Sequence, residues 1–264
     1  MDGKQIPTFI GSLSRLRYLD LSSANFGGRI PFQLGNLSNL QYLNIANNGL
    51  NVSRLAWLSH LHKLKYLLMY SLDLRGSIDL LQVISGLPSL KHLNLGSSLL
   101  PITDYPSLSL VNTSSTLAYL DLFSCGLSNS AYDWLFNVSS NLHTLYLYNN
   151  HLKGPIPDHA FWNMTSLVNP DLSFNQISTI PRIFFLERTA HFQKQIKWFF
   201  PEAFQQPSSL VEQYLDRNWL WGSILDLSVF PLLKVLDISS NQLNGTVNEG
   251  LGQLSKLEQL ILMD

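Results

Sequence analysis

Aromatic side chains recur at a fixed beat in this sequence, and their chemistry is that of contact rather than bond making. Tyr66, His92 and Tyr119 fall at one position of a repeating phrase; Tyr70, Phe123 and Tyr148 fall at a second, with Tyr146 beside them. A tyrosine offers a rigid apolar ring with a polar tip, which suits it to binding surfaces. Groups that would catalyse are missing. The chain has no H-E-x-x-H, C-x-x-C, phosphate-loop or G-x-S-x-G pattern. His60, His62, His143, His151 and His159 lack ligand-like spacing. Gly250 and Gly252 begin a dinucleotide-loop pattern, but its third Gly is absent. No catalytic residue, metal ligand or cofactor is therefore expected.

The phrase that carries the rings is L-x-x-L-x-L-x-x-N-x-L. It reads cleanly at Leu40 to Leu50, Leu142 to Leu152 and Leu233 to Leu243. Units start at Leu16, Leu40, Leu64, Leu90, Leu117, Leu142, Leu167, Leu210, Leu233 and Leu257, mostly 23 to 27 residues apart, with one interval of 43. That period and phrase mark a leucine-rich-repeat solenoid, an α/β repeat class in which each unit contacts only its neighbours. The expected fold is a right-handed, curved solenoid with a parallel β-sheet on its concave side. L-x-L alternation makes a short strand with one buried face. The residue eight after the first Leu leaves the strand, and a stacked asparagine there can bond backbone groups that the turn strands. Asn48, Asn150, Asn175, Asn218 and Asn241 fill that slot; Ala24, Leu72, Ser98 and Cys125 do not, and looser turns are expected in their units. Cys125 is the single cysteine, so it has no disulfide or metal partner in the chain, and this slot accepts N or C. The organisation expected is an array over 1–181 (about seven units), an irregular stretch over 182–209, and a continued array over 210–264 with a short last unit.

Charge is nearly balanced, 17 basic against 18 acidic residues, so no strong field draws nucleic acid or an anionic membrane. No stretch approaches the length of a membrane span, and the first residues lack the basic start and apolar run of a signal peptide. Yet six Asn-x-Ser/Thr sequons occur, at Asn36, Asn51, Asn112, Asn137, Asn163 and Asn244. A chain rich in Asn and Ser makes sequons by chance, but this number leans toward a secreted parent. The tension with the missing signal suggests a fragment, and the chain opens and closes in mid-repeat.

Several units extend the phrase. Gly28-Arg29-Ile30-Pro31 leads into Leu34-Gly35-Asn36-Leu37, and Gly154-Pro155-Ile156-Pro157 and Gly3-Lys4-Gln5-Ile6-Pro7 follow the same form. With Leu19-Asp20-Leu21-Ser22 and Leu236-Asp237-Ile238-Ser239-Ser240-Asn241, the sequence resembles the ectodomains of plant leucine-rich-repeat receptor-like proteins. The nearest group is the one that perceives fungal xylanase or confers disease resistance. The resemblance implies a solenoid on the extracellular side of the plasma membrane. It would lack a kinase, bind a microbial protein or peptide, and signal through a partner receptor kinase in plant defense. The family's capping cysteines, acidic juxtamembrane stretch and membrane span are not in this sequence. Two alternatives stand beside that reading. One is a soluble secreted inhibitor of a microbial cell-wall-degrading enzyme. The other is a truncated gene product without function.

Two stretches depart from the phrase. Pro170 replaces an inward Leu, where it removes a ladder donor. The basic and aromatic run within 182–209 could form a nucleic-acid or membrane patch, but reads rather as a worn repeat or a misread or mutated stretch of gene, less ordered than its flanks. With the first Leu as place one, the x positions of the strand form columns on the concave face. Place three holds Tyr18, Tyr42, Tyr66, His92, Tyr119 and Thr144; place seven holds Ser22, Ala46, Tyr70, Gly96, Phe123, Tyr148 and Ser173. A ring at place three either packs on neighbouring units or touches ligand; Tyr70, Phe123, Tyr146 and Tyr148 are read as ligand contacts. Asp20, Asp121, Asp171 and Asp237 recur at place five, where acids could hold a cation or basic peptide or simply be solvated.

Overall fold

A computed structural model describes residues 3–101, 116–135, 141–157, 166–179, 209–222, 227, 230–244 and 249–263. The fold is the expected leucine-rich-repeat solenoid. Ten short strands build one parallel sheet, ordered as they occur in the chain. They are Tyr18–Asp20, Tyr42–Asn44, Tyr66–Leu68, His92–Asn94, Tyr119–Asp121, Thr144–Tyr146, Asn169–Asp171, Glu212–Tyr214, Val235–Asp237 and Gln259–Ile261. Each starts at place three of a unit. Shorter parallel pairs flank the sheet: Gly27–Arg29 with Gly49–Asn51, Lys153–Pro155 with Gln176–Thr179, and Trp221–Gly222 with Gln242–Leu243.

The leucines of the phrase explain why the coil closes. Leu40, Leu43, Ile45, Leu64, Leu67, Met69, Leu90, Leu93, Leu95, Leu142, Leu145 and Leu147 are fully buried in one continuous core. Each such side chain contributes roughly 2 kcal/mol through apolar area removed from water. Among the described residues the return segments are short 3-10 turns (Thr8–Ser12, Phe32–Asn36, Ala56–His60, Glu249–Gln253) and two short helices, Leu80–Ser85 and Ala131–Leu135. Pro7 and Pro31 immediately precede two of the turns with φ of −66° and −69°, the value their rings impose. No helix among the described residues is long and apolar enough to cross a membrane.

The strand must turn sharply at place eight. Ser23, Asn47, Ser71, Ser97, Ser124, Asn149, Phe174, Arg217 and Ser240 all take left-handed φ there, between 51° and 56°. Ser and Asn suit the position, and two Asn–Ser pairs bond along the column: Asn47 Nδ2 to Ser23 Oγ (3.0 Å) and Asn149 Nδ2 to Ser124 Oγ (3.1 Å). One place further on, the asparagines span two units each. Asn150 Oδ1 accepts from Cys125 N–H and Leu127 N–H, while its amide donates to the carbonyls of Leu122, Leu147 and Tyr148. Asn48, Asn175, Asn218 and Asn241 repeat the pattern.

Two of the four slots without asparagine, Ser98 and Cys125, carry a bond across units of their own. Ser98 Oγ accepts from Leu72 N–H (3.0 Å) and donates to Met69 O (2.9 Å), a short version of the same bridge. Cys125 Sγ donates to Leu95 O at 3.2 Å. Burial pushes its thiol up to about 12, so it stays protonated. Pro170 stays in a strand and aligns with Leu145 in the preceding unit. On its other side the ladder shrinks to one register pair, Asp171 with Tyr214. The stretch 182–209, apart from Ser209, lies outside the described residues, as do Asn112, Asn137 and Asn163.

Candidate functional site

Parallel strands stack about 4.8 Å apart, so rings at one place must meet. Register aligns Tyr18, Tyr42, Tyr66, His92, Tyr119 and Thr144 in sequence. Tyr18 and Tyr42 stack with centroids 4.2 Å apart. Tyr42 to Tyr66 and Tyr66 to His92 are tilted contacts of 6.0 and 5.7 Å. His92 and Tyr119 stack at 3.8 Å, within 7° of parallel. Thr144 has no ring, and Tyr146 at place five continues the chain by presenting an edge contact with Tyr119 at 5.6 Å. Six rings therefore run unbroken along the sheet. The run reaches further back than the expected contacts, which begin at Tyr66: Tyr18 and Tyr42, at the same place three, belong to it.

The place-seven column makes a second, shorter stack. Phe123 and Tyr148 lie parallel with centroids 4.9 Å apart. The Phe123 ring lies over Gly96, whose added Cβ would stand 2.2 Å from Phe123 Cδ1. Glycine is needed at this place for the ring to lie flat. Tyr70 stands in the same column on the far side of Gly96. Tyr66 keeps 43% of its surface exposed and Tyr18 59%. His92, Tyr119, Phe123, Tyr146 and Tyr148 are half-buried against each other. Ring pairs of this kind contribute about 0.5–1.5 kcal/mol each, so the surface is held in one arrangement before anything binds.

Electrostatics keep the rings neutral. Burial holds His92 below its ordinary value, so its imidazole is uncharged at neutral pH. Burial, with the charges of Asp121 and Asp171 adding, pushes the Tyr148 hydroxyl up. Tyr146 is raised by burial and by Asp171, Glu212 and Asp121, and Tyr119 by burial and Asp121. All three remain protonated donors. Acids gather toward the later units, where burial pushes the carboxyls of Asp121, Asp171 and Asp216 above their ordinary value.

The place-five acids have a local job that spacing alone did not reveal. Asp20 Oδ1 accepts from Ser22 N–H (2.9 Å), Asp171 Oδ1 from Ser173 N–H (3.0 Å) and Asp237 Oδ1 from Ser239 N–H (3.0 Å). Asn44 and Asn94 do the same with Ala46 and Gly96 N–H. They fix the strand exit; the legible signal was Asp-x-Ser within L-D-L-S. Of the sequons described, Asn36, Asn51 and Asn244 are exposed. Among the described residues no group of three or more His, Cys, Asp or Glu is placed to hold a metal ion.

Comparison with known proteins agrees with this architecture. A family model described as Leucine Rich Repeat matches residues 15–37, 39–61, 141–164 and 232–254. Receptor-like protein EIX1 of Solanum lycopersicum is 37% identical over 261 residues, covering 93% of this chain and 25% of that protein. Receptor-like protein EIX2 of the same plant is 36% identical over 262 residues, with 92% and 25% covered. The chain thus spans about a quarter of the length of these relatives. Among solved structures, the plant peptide hormone receptor RGFR1 in complex with RGF2 superposes with a TM-score of 0.68 at 26% identity, over 98% of this chain and 38% of that one. The ectodomain of the Arabidopsis receptor kinase HAESA, bound to an IDA peptide hormone, gives 0.67 at 24% identity, over 99% and 40%.

Proposed function

We infer the role of this chain from what it is, a leucine-rich-repeat array of the plant receptor-like-protein type: it is a ligand-recognition surface on the extracellular side of the plasma membrane. The ligand is a microbial protein or peptide that lies along the concave sheet. Tyr66, Tyr70, His92, Tyr119, Phe123, Tyr146 and Tyr148 supply the contact area, and a partner kinase carries the signal in the full-length parent. The observation that supports this most is the unbroken run of rings from Tyr18 to Tyr146 with the Phe123–Tyr148 stack beside it. Rings that lock one another lose little freedom on binding, which favours affinity. The carboxylates further along the sheet complement basic groups on the ligand.

A purified fungal xylanase is the first probe. Tyr146→Ala with Tyr148→Ala should weaken its binding at least about tenfold, the scale of one hot-spot loss, while circular dichroism stays unchanged. Equal affinity in the double variant would remove the concave face from the proposal. The same titration separates the inhibitor reading: slowed xylan hydrolysis upon binding favours a soluble inhibitor, and undiminished turnover favours a receptor.

A further inference from the structure

A second aromatic patch lies off the concave face. In the unit that starts at Leu210, Arg217, Trp219 and Trp221 point outward between the buried Asn218 and Leu220. The two indoles are 51% and 65% exposed. The unit before contributes Phe174, Gln176 and Ser178 at the matching places, and the unit after contributes Ser240, Gln242 and Asn244. Backbone contacts place them side by side. Trp219 N–H donates to Ile177 O, Trp221 aligns with Gln242, and Asn244 N–H donates to Gly222 O at 3.0 Å. Asn244 therefore stands next to the backbone that carries Trp221. Phe174 and Arg217 occupy left-handed turns where the seven other described units have Ser or Asn, and Arg217 lies over the Phe174 ring at 4.6 Å. Bulky residues are disfavoured at such φ, and strain of this kind concentrates at binding surfaces.

Asn244 also begins the sequon Asn244-Gly245-Thr246. We propose that Asn244 carries an N-linked glycan whose first sugars lie over Trp221 and Trp219. The attachment forms a bond from Asn244 Nδ2 to C1 of an oligosaccharide delivered on a lipid diphosphate. The lipid diphosphate leaves, and one amide proton is lost. A pyranose ring has an apolar C–H face that packs on an indole, and its hydroxyls meet the amides of Gln242 and Gln176 and the Arg217 guanidinium. Among the described residues of the patch Arg217 carries the one charge, which suits an uncharged sugar.

The chain holds its own control. Asn51 is exposed, begins a sequon, and sits at the same place twelve of its unit as Asn244. In the unit before it, Asn25 and Gly27 hold the places of Trp219 and Trp221, and its strand neighbours are Arg29 and Asp73. None of these offers a ring to a sugar on Asn51.

The proposal rests on the extracellular reading above. The test is the full chain secreted from a eukaryotic host, with site-resolved mass spectrometry after timed endoglycosidase digestion under native conditions. Release from Asn244 should be roughly fivefold slower than in the Trp219→Gln, Trp221→Gln variant, and slower than release from Asn51, while the variant leaves Asn51 unchanged. Removal of the glycan from the parent should also raise quenching of indole fluorescence by iodide, a readout that needs no variant. An unoccupied Asn244 beside an occupied Asn36 or Asn51 overturns the seat alone, as does release unaffected by the tryptophans. No sugar at any sequon overturns the extracellular reading with it.

Discussion

Two joints between neighbouring units show how unevenly this solenoid is held. Between the units of Leu40 and Leu64, three residue pairs are in register, and the inward Leu43 and Leu67 are completely buried. Between the units of Leu167 and Leu210, one pair remains, Asp171 with Tyr214. The inward residues there are Pro170, which has no N–H to give, and Gln213, which is 1% exposed with both amide atoms unpartnered. The Glu212 N–H reaches Val168 O only at 3.4 Å. The joint is closed on both sides of the strands: before them Val211 N–H donates to Val168 O at 3.0 Å and Ser209 Oγ to Leu167 O at 2.7 Å, and bonds after them complete it. Leu172 N–H donates to Tyr214 O, Phe174 N–H to Asp216 O, and the Asn218 amide to Leu172 O, each at 3.0 Å. In a repeat array stability is a sum of unit and nearest-neighbour contributions. A defective strand pairing is tolerated as long as the asparagine one turn later still bridges the two units.

The two kinds of joint should differ most in what their asparagines contribute. Asn218→Ala strands Ile177 N–H and the carbonyls of Leu172, Leu215 and Asp216, and should cost about 3 kcal/mol or more. Asn48→Ala, at the joint between the units of Leu16 and Leu40, which also keeps three register pairs, should cost less, and chemical denaturation of both variants gives the ranking. A loss at Asn48 equal to that at Asn218 would mean that a joint with full register and the Leu167–Leu210 joint depend equally on their asparagine. The next effect runs the other way. Gln213→Leu replaces an unsatisfied buried carboxamide by the residue the phrase expects, and should raise stability by about 1–3 kcal/mol. The mirror change, Leu145→Gln, should destabilise the regular part by a similar amount. Pro170→Leu should add about 1 kcal/mol by restoring one ladder donor. Amide hydrogen exchange at residues 212–214 should then slow toward the rates of residues 66–68.

Much of this was readable in the chain because the repeat fixes geometry by counting. Every strand begins where L-x-x-L-x-L puts it, and the period alone aligned Tyr42 with Tyr66 and Phe123 with Tyr148. What counting missed depends on shape. That Tyr146 would meet Tyr119 in a T-shaped contact follows from the missing ring at Thr144. That Phe123 could lie flat follows from the missing side chain at Gly96. Ser98 could bridge two units because its hydroxyl both donates and accepts at short range, which a search for asparagine overlooks. The tryptophan patch stayed hidden for another reason. Places ten and twelve lie on the lateral strands, where the phrase specifies nothing, and only the fold shows Trp219, Trp221 and Asn244 on one face.

The smallest expected effect tests the same contrast through protons. Asp20, in the first described unit, is slightly desolvated, but bonds from Ser22, Asn44 and Tyr18 hold its carboxyl below the ordinary value. Asp171, on the weak joint, is desolvated enough to lie above it despite its bonds to Ser173, and Asp237 adds repulsion. The signs follow from linkage. For Asp20 the native state binds its proton less tightly than the unfolded chain, so its stabilisation is full above the ordinary carboxylate value and is lost as pH falls through the folded one. For Asp171 the native state binds the proton more tightly, so stability declines as pH rises from the ordinary value to the raised one, and acid restores it. Asp171→Asn keeps an oxygen for Ser173 and should stabilise slightly at neutral pH, with the gain vanishing below the ordinary carboxylate range. Asp20→Asn should do the reverse. Denaturation curves of both variants across that range measure the difference; slopes of the same sign would show that Asp20 and Asp171 share one environment.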